Sequence, residues 1–280
     1  MKKFFTNIFY FSAILLTINI ILYFIGKELY FGHYADHSLE QKAYLLSDSH
    51  GQAVKNFAEK YGVHNFSVGS DSYEDMYRKA LYLIRNSQPD TIYISVDEHS
   101  LTSYRERKNN LDRSVIYCAP EDLGYYEYFK QKYLKHYIPL FRPEIAEVIK
   151  IYKFPSDKKP VLWASRSAED RINRAVKRSS VNFPEQEQSG KLKQSLINII
   201  DLCKKNDIEL IGIKFPLTKE YIEAAEGMSG SADSIIAVNG YKVLDCTDLY
   251  IDRPEFFADQ DHLNDDGAKD LVKRIFTAEE

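Results

Sequence analysis

The sequence predicts a doubly wound, flavodoxin-like α/β domain with a mainly parallel five-stranded sheet between two helical layers. Three observations carry this. Five short apolar runs recur along the chain, at 43–47, 63–69, 91–96, 208–215 and 241–246. They are largely continuous rather than alternating, as in strands covered on both faces. Helical patterns of period 3.6 alternate with them, which makes crossover connections and a parallel sheet.

The elements follow in order. Phe4–Gly26, "FFTNIFYFSAILLTINIILYFIG", carries no charge. At 1.5 Å per residue it reaches ~35 Å, enough to cross a bilayer. Residues 1–26 are therefore expected to be a single transmembrane anchor. Lys2 and Lys3 precede it, and Tyr30 and Tyr34 follow it. The two lysines favour a cytoplasmic N-terminus in the inner membrane, with the rest facing the periplasm or exterior. The rival is a cleaved signal peptide, against which stand the length of the run and the lack of a prompt A-x-A site. Residues 27–42 read as a polar stalk. Residues 43–280 read as the α/β domain.

Within that domain, 71–86 opens with Asp71 and Ser72 as capping types and aligns Tyr73, Met76, Tyr77, Ala80, Leu81 and Ile84. Residues 190–205 align Leu192, Leu196, Ile199, Ile200 and Cys203; 265–276 align Ala268, Leu271, Val272, Ile275 and Phe276. Between the third and fourth runs lies an insertion, at about 100–190. Its stretch 121–141, "EDLGYYEYFKQKYLKHYIPLF", reads as an aromatic, basic amphipathic helix, placed on a membrane surface, over the active site or against the core. Residues 155–190 are polar and read as a loop or lid.

Composition bounds the function. The chain has 280 residues, 44% hydrophobic and 28% charged, with a net charge of −4. That suits one large domain, or one domain plus a small insertion, and gives no electrostatic case for nucleic acid. Cys118, Cys203 and Cys246 lie far apart with no zinc spacing, and read as buried, inert thiols. No cofactor signature is present.

The chemistry centres on "YLLSDSHG", Tyr44–Gly51, a strand running into a turn. Two chemistries write this peptide. In one, Asp48 and His50 grip a metal, as in a phosphoesterase. In the other, Ser49 is a nucleophile and Asp48 and His50 shape the pocket. A two-metal site needs further aspartate and histidine blocks, and the chain has no Gly-Asp, Gly-Asn-His or Gly-His-x-His. A single ion held by Asp48, His50, Asp97 and His99 is the form the metal reading retains; a site without metal is the expectation. For the serine reading, "FADQDHLNDDG" supplies Asp259-x-x-His262 just before the last helix. Serine needs a base within hydrogen-bond reach and a group that orients that base. His262 and Asp259 have the types and the spacing.

These residues resemble the SGNH/GDSL hydrolase superfamily. "SDSHG" looks like its first block, with Ser47 in place of the usual glycine. "FSVGSDSYEDM" looks like the second, and "FADQDHLNDDG" is similar to the fifth. The resemblance implies Ser49, His262 and Asp259 as the catalytic residues, and an oxyanion hole of the Ser49 and Gly69 backbone N–H groups plus a third-block donor. The third block departs from the pattern. In "ISVDEHSL", Ser95 takes the glycine place and Asp97 the place of the donor asparagine. An ionised aspartate cannot donate. The donor is then a protonated Asp97 or His99, or the hole is weakened; alternatively Asp97 and His99 pair with each other.

The anchor and insertion narrow the resemblance to membrane-anchored members that O-acylate or deacylate cell-surface polysaccharide. It implies an acyl-serine intermediate, a polysaccharide substrate and a polytopic membrane acyltransferase as partner. A binding or assembly subunit on the same scaffold is the competing class.

Overall fold

The computed structural model describes residues 1–35, 37–134, 138–139, 161–184, 188–228 and 232–277. The apolar runs form strands at Ala43–Leu46 (β1), Val63–Asn65 (β2), Thr91–Ser95 (β3), Glu209–Lys214 (β4) and Lys242–Asp245 (β5). All four neighbouring pairs are parallel, in the order β2-β1-β3-β4-β5. This is the doubly wound α/β fold that the patterning predicts. The chain winds outward from β1 to β2 and then the other way from β3 onward, so the switch point lies between β1 and β3. Open α/β sheets place their sites beyond the carboxyl ends of the strands at that point.

Alternation divides the core into two faces. Leu45, Tyr93, Ile211 and Ile213 pack with Ala268, Leu271, Val272 and Ile275 of the C-terminal helix Asp265–Phe276. The helices Tyr73–Asn86 and Gly190–Lys205 pack together, the latter burying Leu192, Leu196, Ile199, Ile200 and Cys203 as its spacing implies. The helix Tyr73–Asn86 differs from expectation. It buries Leu83 rather than Leu81 and Ile84, and takes Asp75 and Lys79 into the interior with it.

The expected loop at 155–190 holds a 15-residue helix, Ala168–Asn182. Its Ser167 cap accepts the Asp170 N–H at 3.2 Å. The pattern is silent there because the helix buries Ala175, Ser179 and Asn182 while Ile172, Val176 and Val181 face outward. Trp163, just before it, is fully buried in the core. Residues 155–160 and 185–187 lie outside the described residues.

By contacts the chain divides into two units. One is Met1–His37 with Asp112–Lys159; the other is Ser38–Leu111 with Pro160–Glu280. The first contains the 25-residue apolar helix Lys2–Gly26, long and apolar enough to cross a membrane. The helix runs on without a break through Lys27–Phe31 and Gly32–Ala35, so much of the expected stalk is helical. The aromatic stretch is helical at Pro120–Leu123, Tyr125–Phe129 and Lys130–Leu134. Most of its remainder, toward residue 141, lies outside the described residues. The second unit contains the sheet and every candidate site residue.

Candidate active site

β1 ends at Leu46, and Ser47 and Asp48 lead into the helical turn Ser49–Gln52. Asp48 caps that turn by accepting the His50 N–H at 2.9 Å. Ser47 Oγ accepts the Gly51 N–H at 3.1 Å. A side chain on Gly51 would fall 2.4 Å from Ser47 Cβ, so the turn folds this tightly only with glycine there. The result lifts Ser49, half-buried, above the carboxyl edge of the sheet while His50 points down into it.

His262 arrives from the loop before the C-terminal helix. Asn264 fixes the helix start by accepting from the Asp266 and Gly267 N–H groups. Gly267 packs against the Phe256 backbone too closely for any Cβ. His262 Nε2 lies 2.8 Å from Ser49 Oγ. Its Nδ1 faces Asp259 Oδ1 at 2.9 Å and Oδ2 at 3.1 Å. Asp259 also accepts the N–H groups of Asp261 and His262, which holds its carboxylate in place. A second carboxylate, Asp261 Oδ1, is 3.2 Å from the same Nδ1. Burial opposes charge on His262, but the hydrogen bonds to Asp259 and Asp261 outweigh it and push its pKa up to about 9.

Gly69 sits across from the serine; a Cβ built on it would lie 3.7 Å from Ser49 Cβ. It follows β2 in the turn Val68–Asp71, closed by the Asp71 N–H on the Val68 carbonyl at 3.0 Å. Ser70 holds φ 75°, a left-handed conformation that costs a non-glycine residue about 1–2 kcal/mol. The Gly69 N–H donates to Gln52 Oε1 at 2.9 Å. A carbonyl oxygen from the protein itself therefore occupies this donor in the resting structure.

The third block is engaged elsewhere. Asp97 Oδ1 accepts the Phe215 N–H at 2.7 Å and Oδ2 lies 2.9 Å from His50 Nδ1. His99 Nε2 lies 3.0 Å from Asp48 Oδ2. The pairs are thus crossed: Asp97 holds His50, and Asp48 holds His99. Both Asp97 oxygens accept, so that side chain has no donor to offer an oxyanion.

Beneath and beside the serine lies a balanced set of charges, most of them buried. Burial works against the Asp48 carboxylate, but Arg105 at 3.4 Å and His50 hold its pKa well below the ordinary range. Burial likewise disfavours the His50 imidazolium, but Asp97 and Asp48 hold its pKa well above the ordinary value. Burial dominates at His99, whose pKa is lowered, so its ring is neutral at pH 7. Asp261, fully buried, accepts from Arg178 Nε at 2.7 Å and from Gln260 Nε2 at 2.8 Å. Asp48, Asp97, Asp259 and Asp261 are thereby matched by Arg105, Arg178 and the His50 and His262 rings. Two groups of these side chains, Asp48–His50–Asp97 and His50–Asp261–His262, bring ligand atoms within 4.8 Å of one another. His50 commits Nδ1 to Asp97 and turns Nε2 toward Asp261 Oδ2 at 3.8 Å; an ion in either group would have to displace ring protons from His50 or His262.

No family model matches the chain, and no curated protein matches it. Among solved structures it is similar to a Bacteroides fragilis protein described as a "putative acylhydrolase", at 11% identity and a TM-score of 0.43, over 90% of this chain and 96% of that one.

Ser49, His262, Asp259 and Gly69, distant in sequence, converge at one edge of the sheet; Asp97 and His99 lie below them, against His50 and Asp48. Sequence reasoning missed Gln52, Asp261, Arg105 and Arg178. Gln52 was findable, because i+3 spacing places it on the face of the turn that carries Ser49. Asp261 was visible as the second acid of "DQDH". Arg178 gave no signal, since its helix read as a loop.

Proposed function

We propose that this protein is a membrane-anchored, SGNH-like serine esterase or acyltransferase, acting on O-acyl groups of an extracytoplasmic polysaccharide. One observation carries the reading: Ser49 Oγ lies in hydrogen-bond contact with His262 Nε2, while two carboxylates face the opposite nitrogen of the ring. That is the arrangement that activates a serine.

In the reaction, neutral His262 takes the Ser49 proton as Oγ attacks the acyl carbonyl. The developing oxyanion displaces Gln52 Oε1 and rests on the Gly69 and Ser49 N–H groups. His262 returns the proton to the leaving oxygen, and the acyl group stays on Ser49. A hydroxyl of the acceptor sugar, or water, is then deprotonated by His262 and releases the acyl group. A polytopic membrane acyltransferase is the partner this reading implies as acyl supplier.

A fluorophosphonate probe tests it. The full-length protein should label, and Ser49→Ala and His262→Ala should not; either removes the nucleophile or its base, for an expected loss of about 10⁴-fold or more in ester turnover. A second reading, a polysaccharide-binding subunit, draws on the absent third-block donor and on Gln52 filling the Gly69 donor. Absence of labelling in folded wild-type protein would favour it.

A further inference from the structure

We infer that the aromatic helical stretch Pro120–Leu134 lies in the headgroup layer of the bilayer that the N-terminal helix crosses. The inference rests on the helix Lys2–Gly26 being a retained anchor, and not on the serine chemistry. Five of the nine residues 125–133 are aromatic. Tyr125, Tyr126, Phe129 and Leu134 stand 82%, 78%, 57% and 47% exposed. Tyr125, Phe129 and Tyr133 follow i, i+4 spacing along one side, and the Phe129 and Tyr133 rings lie 6.0 Å apart. A contiguous exposed face of this kind calls for an occupant.

The way this face is tied to the span identifies the occupant. The helix leaves its apolar run at Gly26 and continues to Ala35. Tyr30 and Tyr34 are therefore four and eight residues beyond the run, at most ~6 Å and ~12 Å along the axis. The headgroup layer on each side of a bilayer is about 5–8 Å thick. The segment leading to the aromatic stretch is fastened at this level through Tyr30 and just above it through Tyr34. The Tyr30 hydroxyl donates to the Asp112 carboxylate, and Arg113 lies over the Tyr30 and Tyr34 rings at 5.0 and 5.1 Å. Tyr34 is fully buried and its ring is 5.6 Å from that of Tyr117. Lys132 Nζ then donates to the Cys118 carbonyl at 3.2 Å and secures the stretch itself. A protein partner would also cover aromatic surface. Attachment within about two helical turns of the span, together with side chains that pair an apolar ring with a polar hydroxyl, favours lipid.

The test uses the full chain in nanodiscs. Tyr126→Cys and Phe129→Cys are labelled with an environment-sensitive NBD dye, and the same dye coupled to free cysteine in buffer is the reference. The native cysteines are buried, and the unsubstituted chain is the blank. In the lipid layer, labels at 126 and 129 emit to the blue of the dye coupled to free cysteine in buffer and lose most of their intensity when doxyl-labelled phospholipid is included. Water-like emission at 126 and 129 overturns the inference. So does blue emission without doxyl quenching, which would mean that protein covers the face.

Discussion

Asp97 shows how much a single side chain depends on its surroundings. The third-block comparison suggests that Asp97→Asn would restore an oxyanion donor. The geometry argues otherwise. Asp97 accepts the Phe215 N–H on one oxygen and pairs with His50 through the other. An asparagine that kept the first contact would turn its NH2 toward the His50 N–H. The ring would then have to give up its proton or lose its partner. Breaking a buried pair costs about 3–5 kcal/mol, so Asp97→Asn should lower stability by that order in denaturant titration and leave ester turnover no higher. A rise in turnover at unchanged stability would contradict the crossed pairing. His262 makes a second expectation at this scale. The base works only when neutral, and its pKa lies at about 9. kcat/KM should therefore rise about tenfold per pH unit below pH 9 and level off above it. The same proton acts oppositely on the fold. A raised folded-state pKa contributes stability that is complete below about pH 6.5 and lost as pH rises through about 9. A pH-rate profile that levels near pH 6.5 would show that the two carboxylates do not hold the proton. Much of this site was legible: Ser49, Asp259 and His262 announced themselves by residue type and spacing. The crossed pairs were not, because adjacent sequence suggests that Asp97 pairs with His99, whereas the side chains reach across from β3 to the β1 turn.

Elements show the same division between what periodicity records and what it does not. Strands β1, β3 and β4 and the helices at 190–205 and 265–276 were legible because apolar spacing and burial coincide there. The helix Tyr73–Asn86 was placed correctly but rotated, since its inward face carries charge. Lys79, fully buried, lies 2.5 Å from Asp71 and donates to the Phe66 carbonyl at 2.6 Å. Asp71 in turn accepts from Asn110 Nδ2 at 2.7 Å, and Asn110 Nδ2 also bonds the Gly69 carbonyl at 2.9 Å. The helix thus reaches the Gly69 turn through an ion pair. Lys79→Ala would remove the buried cation that faces the Asp71 carboxylate, at a cost of about 3–5 kcal/mol. Lys79→Met retains the stem volume but removes the same cation, so it should destabilise nearly as much. A double change, Lys79→Met with Asp71→Asn, should recover most of the loss in thermal unfolding. If Lys79→Met alone is neutral, the pair is not what fixes the helix.

At the scale of the whole molecule, the reading as an envelope enzyme depends on which side of the membrane the sheet occupies. Lys2 and Lys3 stand before the apolar run; after it Lys27 is followed at once by Glu28, and the next lysine is Lys42. Lysine near a span counts toward the cytoplasmic side, and the proposed function requires that Lys2 and Lys3 outweigh Lys27, which puts the rest of the chain outside. The cysteines are compatible with that side. Cys118, Cys203 and Cys246 are all buried, and burial raises the thiol pKa of Cys203 to about 12 and of Cys246 to about 11. Buried, protonated thiols react slowly even where the surroundings are oxidising. A C-terminal alkaline phosphatase fusion to the full chain should therefore be active, and the equivalent green fluorescent protein fusion, exported through the general pathway, should be dark. Moving the charge tests the cause: Lys2→Glu with Lys3→Glu, combined with Glu28→Lys, should reduce phosphatase activity and restore fluorescence. If the unmodified chain gives the fluorescent result, its sheet lies in the cytoplasm. A polysaccharide outside the cell would then be beyond the reach of Ser49, and the serine chemistry would need an intracellular acyl ester.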